Sequence, residues 1–223
     1  MRYPRTTLIA VGIVALTAGV AATQQREGAA AQPAARPPLF LSESWKQLPS
    51  GAEHPVSQES VSSANLELKL YGGAAKEIQL ATSVDGYNVL WSGLCSTPVV
   101  AALRDRDRYV DLSGWAKIRW TVRTSGFHVV RPAIKLADGT WLVGDRADAS
   151  LTDLNETEFS VASVRWVKLD IDRVVTVGPW VERPELSKVD EVGFVDLMPG
   201  SGHGVGGWDM VGRVEVFGKP VPR

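Results

Sequence analysis

Residues 117–123 read Lys-Ile-Arg-Trp-Thr-Val-Arg (KIRWTVR), with Ile118, Trp120 and Val122 set between Lys117, Arg119, Thr121 and Arg123. Apolar side chains at every second position line one face of a β-strand and leave the other to water. Ser113-Gly114 and Ser125-Gly126 bound the segment with turn residues. The same period returns in Leu66, Leu68 and Leu70 against Glu67, Lys69 and Tyr71, closed by Gly72-Gly73.

Working outward, residues 129–143 (VVRPAIKLADGTWLV) hold Asp138-Gly139 between two apolar runs. That dipeptide predicts a hairpin with a type I′ turn, whose two central residues need positive φ. Pro132 points to an edge or a bulge in the first arm. Further short runs at 156–161, 164–171, 190–197 and 211–217 are separated by Gly, Pro and charged clusters. Pro98 to Arg106 (PVVAALRDR) is the best helical window and is long enough for two turns. Many short strands with frequent turn signals predict an all-β, antiparallel β-sandwich or barrel.

The 223 residues carry 24 Lys+Arg against 25 Asp+Glu, three His and one Cys. Nucleic-acid binding calls for clustered positive charge, which this balance does not supply. One Cys excludes an intrachain disulfide and a multi-cysteine zinc site. Residues 1–22, with Arg2 and Arg5 before the uncharged Leu8–Ala22, read as a signal peptide for export to the periplasm or the outside. The alternative is a retained anchor, although the apolar run is shorter than the roughly 20 residues of a bilayer span. No membrane span is expected after cleavage. Residues 23–38 (TQQREGAAAQPAARPP) read as a disordered linker, and 39–223 as a single β-sandwich domain.

Asp111–Gly126 (DLSGWAKIRWTVRTSG) resembles the phrase in galactose-binding-like jelly rolls where a D-L-S-G turn feeds a central strand. Family 11 carbohydrate-binding modules and the complex I intermediate-associated protein 30 domain are examples. Leu186–Phe194 (LSKVDEVGF) and Gly212–Gly218 (GRVEVFG) are similar to the last two strands of that fold. The resemblance implies a jelly roll, in a superfamily that includes sugar binders, assembly factors and enzyme appendages.

Eight Trp are the main functional signal. Trp120 shares a face with Ile118 and Val122 and reads as core. Trp166 lies opposite Val167, Leu169 and Ile171, on the polar side with Lys168 and Asp170. Trp141 follows the Asp138-Gly139 turn, Trp180 sits in a Gly-Pro loop before Glu182 and Arg183, and Trp208 ends a glycine-rich segment. An exposed indole offers a flat apolar plate to a sugar ring while neighbouring polar groups bond its hydroxyls. The expected ligand-binding set is Trp141, Trp166, Trp180, His203, Trp208, Asp196 and Asp209. For each Trp the alternative is packing beneath a loop.

Gly202-x-Gly204-x-x-Gly207 matches the dinucleotide fingerprint in letters, but Met210–Phe217 continues as a strand where the fingerprint requires a helix. No Gly-x-Ser-x-Gly elbow is present, and His54, His128 and His203 offer no triad spacing. Cys95 reads as a small buried hydrophobe. No catalytic residue is assigned. Acid pairs at Asp170/Asp172, Asp190/Glu191 and Asp196/Asp209 keep a glycan hydrolase open as an alternative. Asp145, Asp148 and Asp153, with Asn155, are candidate ligands for a structural calcium. Asn155-Glu156-Thr157 is a glycosylation sequon. The leading expectation is an exported, non-catalytic module that binds carbohydrate through Trp-bearing loops. An assembly or scaffold protein that meets another protein is the alternative.

Overall fold

The computed structural model describes residues 36–46, 54–149, 152–197 and 207–223. The expected signal segment, all of the expected linker but Arg36–Pro38, and His203 lie outside the described residues. Among the described residues the chain forms seventeen strands and two one-turn 3₁₀ segments. In chain order the first nine strands are β1 Leu39–Glu43, β2 His54–Pro55, β3 Leu66–Tyr71, β4 Gln79–Thr82, β5 Asn88–Trp91, β6 Val99–Asp105, β7 Arg108–Asp111, β8 Lys117–Gly126 and β9 Val129–Leu136. They are followed by β10 Trp141–Gly144, β11 Asp148–Ala149, β12 Asn155–Ser160, β13 Trp166–Asp170, β14 Val175–Val181, β15 Val189–Asp196, β16 Gly207–Phe217 and β17 Lys219–Pro222.

Two antiparallel sheets result, as the alternation predicts. One has seven strands in the order β12-β8-β16-β5-β4-β2, with β1 also on β16; the other has ten and runs β14-β13-β10-β9-β15-β6-β3, with β7, β11 and β17 attached. Ile118, Trp120 and Val122 of β8 and Val211, Val214 and Val216 of β16 meet Val99, Ala101 and Leu103 of β6 and Val192 and Phe194 of β15 in the core between the sheets. Burying each such side chain stabilises the fold by about 1.5–3 kcal/mol. A bulge between Val211 and Val214 leaves Gly212 at a break in the β8–β16 register.

Pro98–Arg106 is the largest departure from expectation. It forms β6, paired on both sides by β3 and β15, and not a helix. Its continuous apolar run suits a strand covered on both faces. Leu103 and Ala101 face the main core, while Val100 and Ala102 belong to a second apolar cluster with Trp141, Val143, Val167, Leu169, Val174 and Val195. The ten-stranded sheet is therefore covered on its outer side too. Trp166 faces the main core and Val167 and Leu169 the second cluster, while Lys168, on the Trp166 side, is exposed; that side is thus buried at one end and wet along the rest.

The Asp138-Gly139 hairpin forms, but with a three-residue loop. Leu136 N donates to Thr140 O at 2.9 Å, and only Gly139 of the dipeptide has positive φ, at 89°. A type I turn followed by a left-handed glycine accounts for this. Pro132 lies where the partner of β9 changes from β10 to β11, a gap in the ladder that tolerates a residue without an N–H. Arg36–Pro38, from the end of the expected linker, lie against the sandwich: Arg36 stacks 4.4 Å over Phe217 and pairs with Glu158 at 2.9 Å.

Candidate functional site

Between β3 and β10 the outer side of the ten-stranded sheet presents no open plate. Tyr71 of β3 and Trp141 of β10 meet edge to face across it, and Val174, at the end of the turn that follows β13, approaches Gly72 and packs in the same cluster. Tyr71 Oη also donates to Glu191 at 2.8 Å, and Lys135 Nζ reaches the same carboxylate at 2.9 Å. Burial, with the Glu191 charge, pushes the Tyr71 phenol well above its ordinary value. Trp141 is therefore a structural residue here.

The outer side of the seven-stranded sheet is different. Cross-strand register puts Arg123, Met210 and Trp91 in one row, with Trp208 beside Ser125 in the next. All are partly exposed. Trp91 and Trp208 are diagonal neighbours on this face, a separation of roughly 7–8 Å along the backbone. The Arg123 guanidinium lies 5.2 Å over the Trp208 ring. A depression of about 370 Å³ is lined by Arg123, Ser125, Thr152 and Trp208. A second, of about 350 Å³, is lined by Tyr87, Asn88, Thr121, Leu154, Gly212 and Arg213.

The two depressions share no lining residue but open on the same face of the sheet. Thr121 and Arg123 are successive outward residues of β8, and Thr152 and Leu154 come from one connection. The depressions thus follow one another along β8 and β16, Trp208 lining the one and Tyr87, 61% exposed, the other. Gly212 in the bulge contributes floor without a side chain. Beyond the depressions the same face closes into ion pairs: Glu158 with Lys117 at 2.6 Å and Arg119 at 2.7 Å, and Arg119 with Glu215 at 3.3 Å.

Beneath Trp208, on the inner side of the same sheet, lies a buried polar cluster. Asp209 (2% exposed), Asp196 (5%) and His128 (2%) come from β16, β15 and the β8–β9 turn. His128 Nδ1 is in hydrogen-bond contact with Asp196 Oδ2. Ser92 Oγ donates to Asp209 Oδ2 at 3.0 Å and accepts from Asp209 N at 2.9 Å. Burial, joined by the Asp196 charge, holds the Asp209 carboxyl well above the usual carboxylate range. Cys95 borders the cluster; burial first, then the Asp209 and Glu77 charges, push its thiol up to about 12, so it is no thiolate at neutral pH.

Asp196 and Asp209 thus come together as expected, but inside the sandwich, where they offer no carboxylate to a polymer. Asp145 and Asp148 are instead held by Arg165 at 2.8 Å and Arg146 at 2.8 Å, and Asp148 also accepts from Trp120 Nε1 at 2.7 Å. They do not gather with Asp153 into a ligand set. Trp180, 46% exposed, borders a separate groove of about 410 Å³ with Arg165 stacked 4.7 Å over its ring. Trp166 lines that groove but is sealed in the core, its Nε1 without a partner among the described residues. Tyr87, Trp91, Arg123, His128 and Arg213 were not singled out as site residues from sequence; the outward parity of Arg123 beside Trp120 was the one signal available.

Comparison with solved structures finds the family 11 carbohydrate-binding module from Clostridium thermocellum in complex with a β-1,3-1,4-mixed-linked tetrasaccharide, 15% identical, covering 77% of this chain and 98% of that one, with a TM-score of 0.43. The family 11 module of the cellulosomal cellulase Lic26A-Cel5E of the same organism is 14% identical over 77% of this chain and 97% of that one, with a TM-score of 0.41. An exo-β-agarase is 10% identical over 76% of this chain and 25% of its own length, with a TM-score of 0.38. The first two belong to the family that Asp111–Gly126 resembles. No family model matches the chain, and no curated protein matches it.

Proposed function

We propose that this protein binds an extended carbohydrate chain along the cleft on the outer side of its seven-stranded sheet. The observation that carries the reading is the pair of depressions, read as one cleft: each is lined by an aromatic ring, Trp208 or Tyr87, and by guanidinium, amide or hydroxyl groups. Trp208 and Tyr87 offer flat plates to the C–H faces of sugar rings, while Arg123, Arg213, Asn88 and Thr121 bond hydroxyls.

Affinity electrophoresis of the full chain against soluble neutral and uronate-containing polysaccharides tests this. Retardation by at least one polysaccharide is expected, weakened roughly tenfold in Trp208→Ala and in Tyr87→Ala. Retardation that survives both changes, or none with any glycan, overturns it. The exposed edge strand β14, with Val177 and Trp180 outward, favours the second reading, a protein partner. Loss of a co-purifying protein in Trp180→Ala, with the cleft variants unaffected, would support that reading instead.

A further inference from the structure

We propose that His128, Asp196 and Asp209 form a binding site for one divalent cation of the zinc or manganese type, set between the two sheets. One ligand atom from each residue lies within 4.8 Å of the others, and all three residues are buried. Bonds of about 2.0–2.2 Å to a tetrahedral ion place ligand atoms roughly 3.3–3.5 Å apart, so small side-chain rotations close the set. A cavity of about 10 Å³, on the order of one water, adjoins it and is lined by Ser92, Cys95, His128 and Asp196.

The donor chemistry selects the ion. Calcium takes six to eight oxygens, whereas one imidazole and two carboxylates suit zinc, a borderline cation that takes four ligands, and serve manganese if water completes its larger shell. Ser92 Oγ, bonded to Asp209, orients that carboxylate as outer hydrogen bonds do in metal sites.

The site would also tie parts of the sandwich together, since its ligands come from β15, β16 and the β8–β9 turn and its orienting hydroxyl follows β5. None of this depends on the carbohydrate reading, because the three side chains turn to the interior while those that line the cleft turn outward.

The full chain, stripped with chelator and dialysed against zinc, manganese or calcium chloride, is analysed for bound metal and for its thermal midpoint. One equivalent of zinc or manganese and a raised midpoint are expected, with calcium much weaker. Asp209→Asn and His128→Gln are each expected to weaken binding tenfold or more. Cobalt(II) added to the unmodified protein gives a readout independent of any variant's folding: visible bands of a nitrogen–oxygen site, with no thiolate charge-transfer band. No bound zinc or manganese, a cobalt spectrum of the free ion, or binding unchanged in both variants would overturn the proposal.

Discussion

Tyr71 and Trp141 stand on strands separated by three others, yet their ring centroids are 5.0 Å apart at an interplanar angle of 69°. Four strand spacings in a flat sheet would hold their backbones roughly 19 Å apart. The ten-stranded sheet must therefore curl toward its outer side, and the two rings fill the hollow that the curl makes. Removing one ring should reopen it. Trp141→Ala is expected to cost about 3–5 kcal/mol, read by urea denaturation, whereas Tyr71→Phe keeps the ring contact and loses only the bonds to Glu191, about 1–2 kcal/mol. Equal losses in the two variants would show that the hydroxyl, and not the ring, fills the hollow.

Gly193 in β15 faces the backbone of β6. A Cβ there would lie 2.0 Å from Ala101 O and 2.5 Å from Ala102 Cα, distances that no rotamer can relieve. Gly193→Ala should push β15 away from β6 and destabilise the protein by about 3 kcal/mol or more. Loss of slow amide exchange at Ala101 and Leu103 would check the location of the damage.

The Glu158 carboxylate is bonded by Lys117 and then Arg119, which hold its pKa at about 2 against an ordinary 4.5. Its stabilising effect is therefore fully present above about pH 4.5 and is lost as the pH falls toward 2. Denaturation midpoints of Glu158→Gln should lie below those of the unmodified chain at pH 7. The two should converge between pH 4.5 and 2. A constant gap across that range would mean that the loss comes from packing and not from charge.

Much of the fold was legible because β8 and β3 keep one face wet. Ile118, Trp120 and Val122 sit in the core that their spacing implies, and Leu66–Tyr71 is a strand. Where both faces are covered the period vanishes, which is why Pro98–Arg106 resembles a helix; Trp166 shares its side of β13 with the exposed Lys168, so the alternation carries no sign of its burial. The sites were less legible. Trp208 was visible as an indole beside a glycine-rich segment, but Tyr87, Arg123 and Arg213 meet only through the pairing of β5, β8 and β16. His128 and Asp196 are 68 residues apart and leave no local spacing for a reader to notice.

Trp208 and Asp209 are consecutive, one turned outward and one inward by the pleat of β16. Inserting or deleting a single residue between Asp209 and Gly212 would exchange them, turning a ring into the acid pocket and a carboxylate onto the surface. Two properties that look separable, a lining for ligand and an anchor for the interior, are thus bound to one reading frame of side chains. Length changes in that stretch are expected to abolish both at once, while point substitutions can alter either alone.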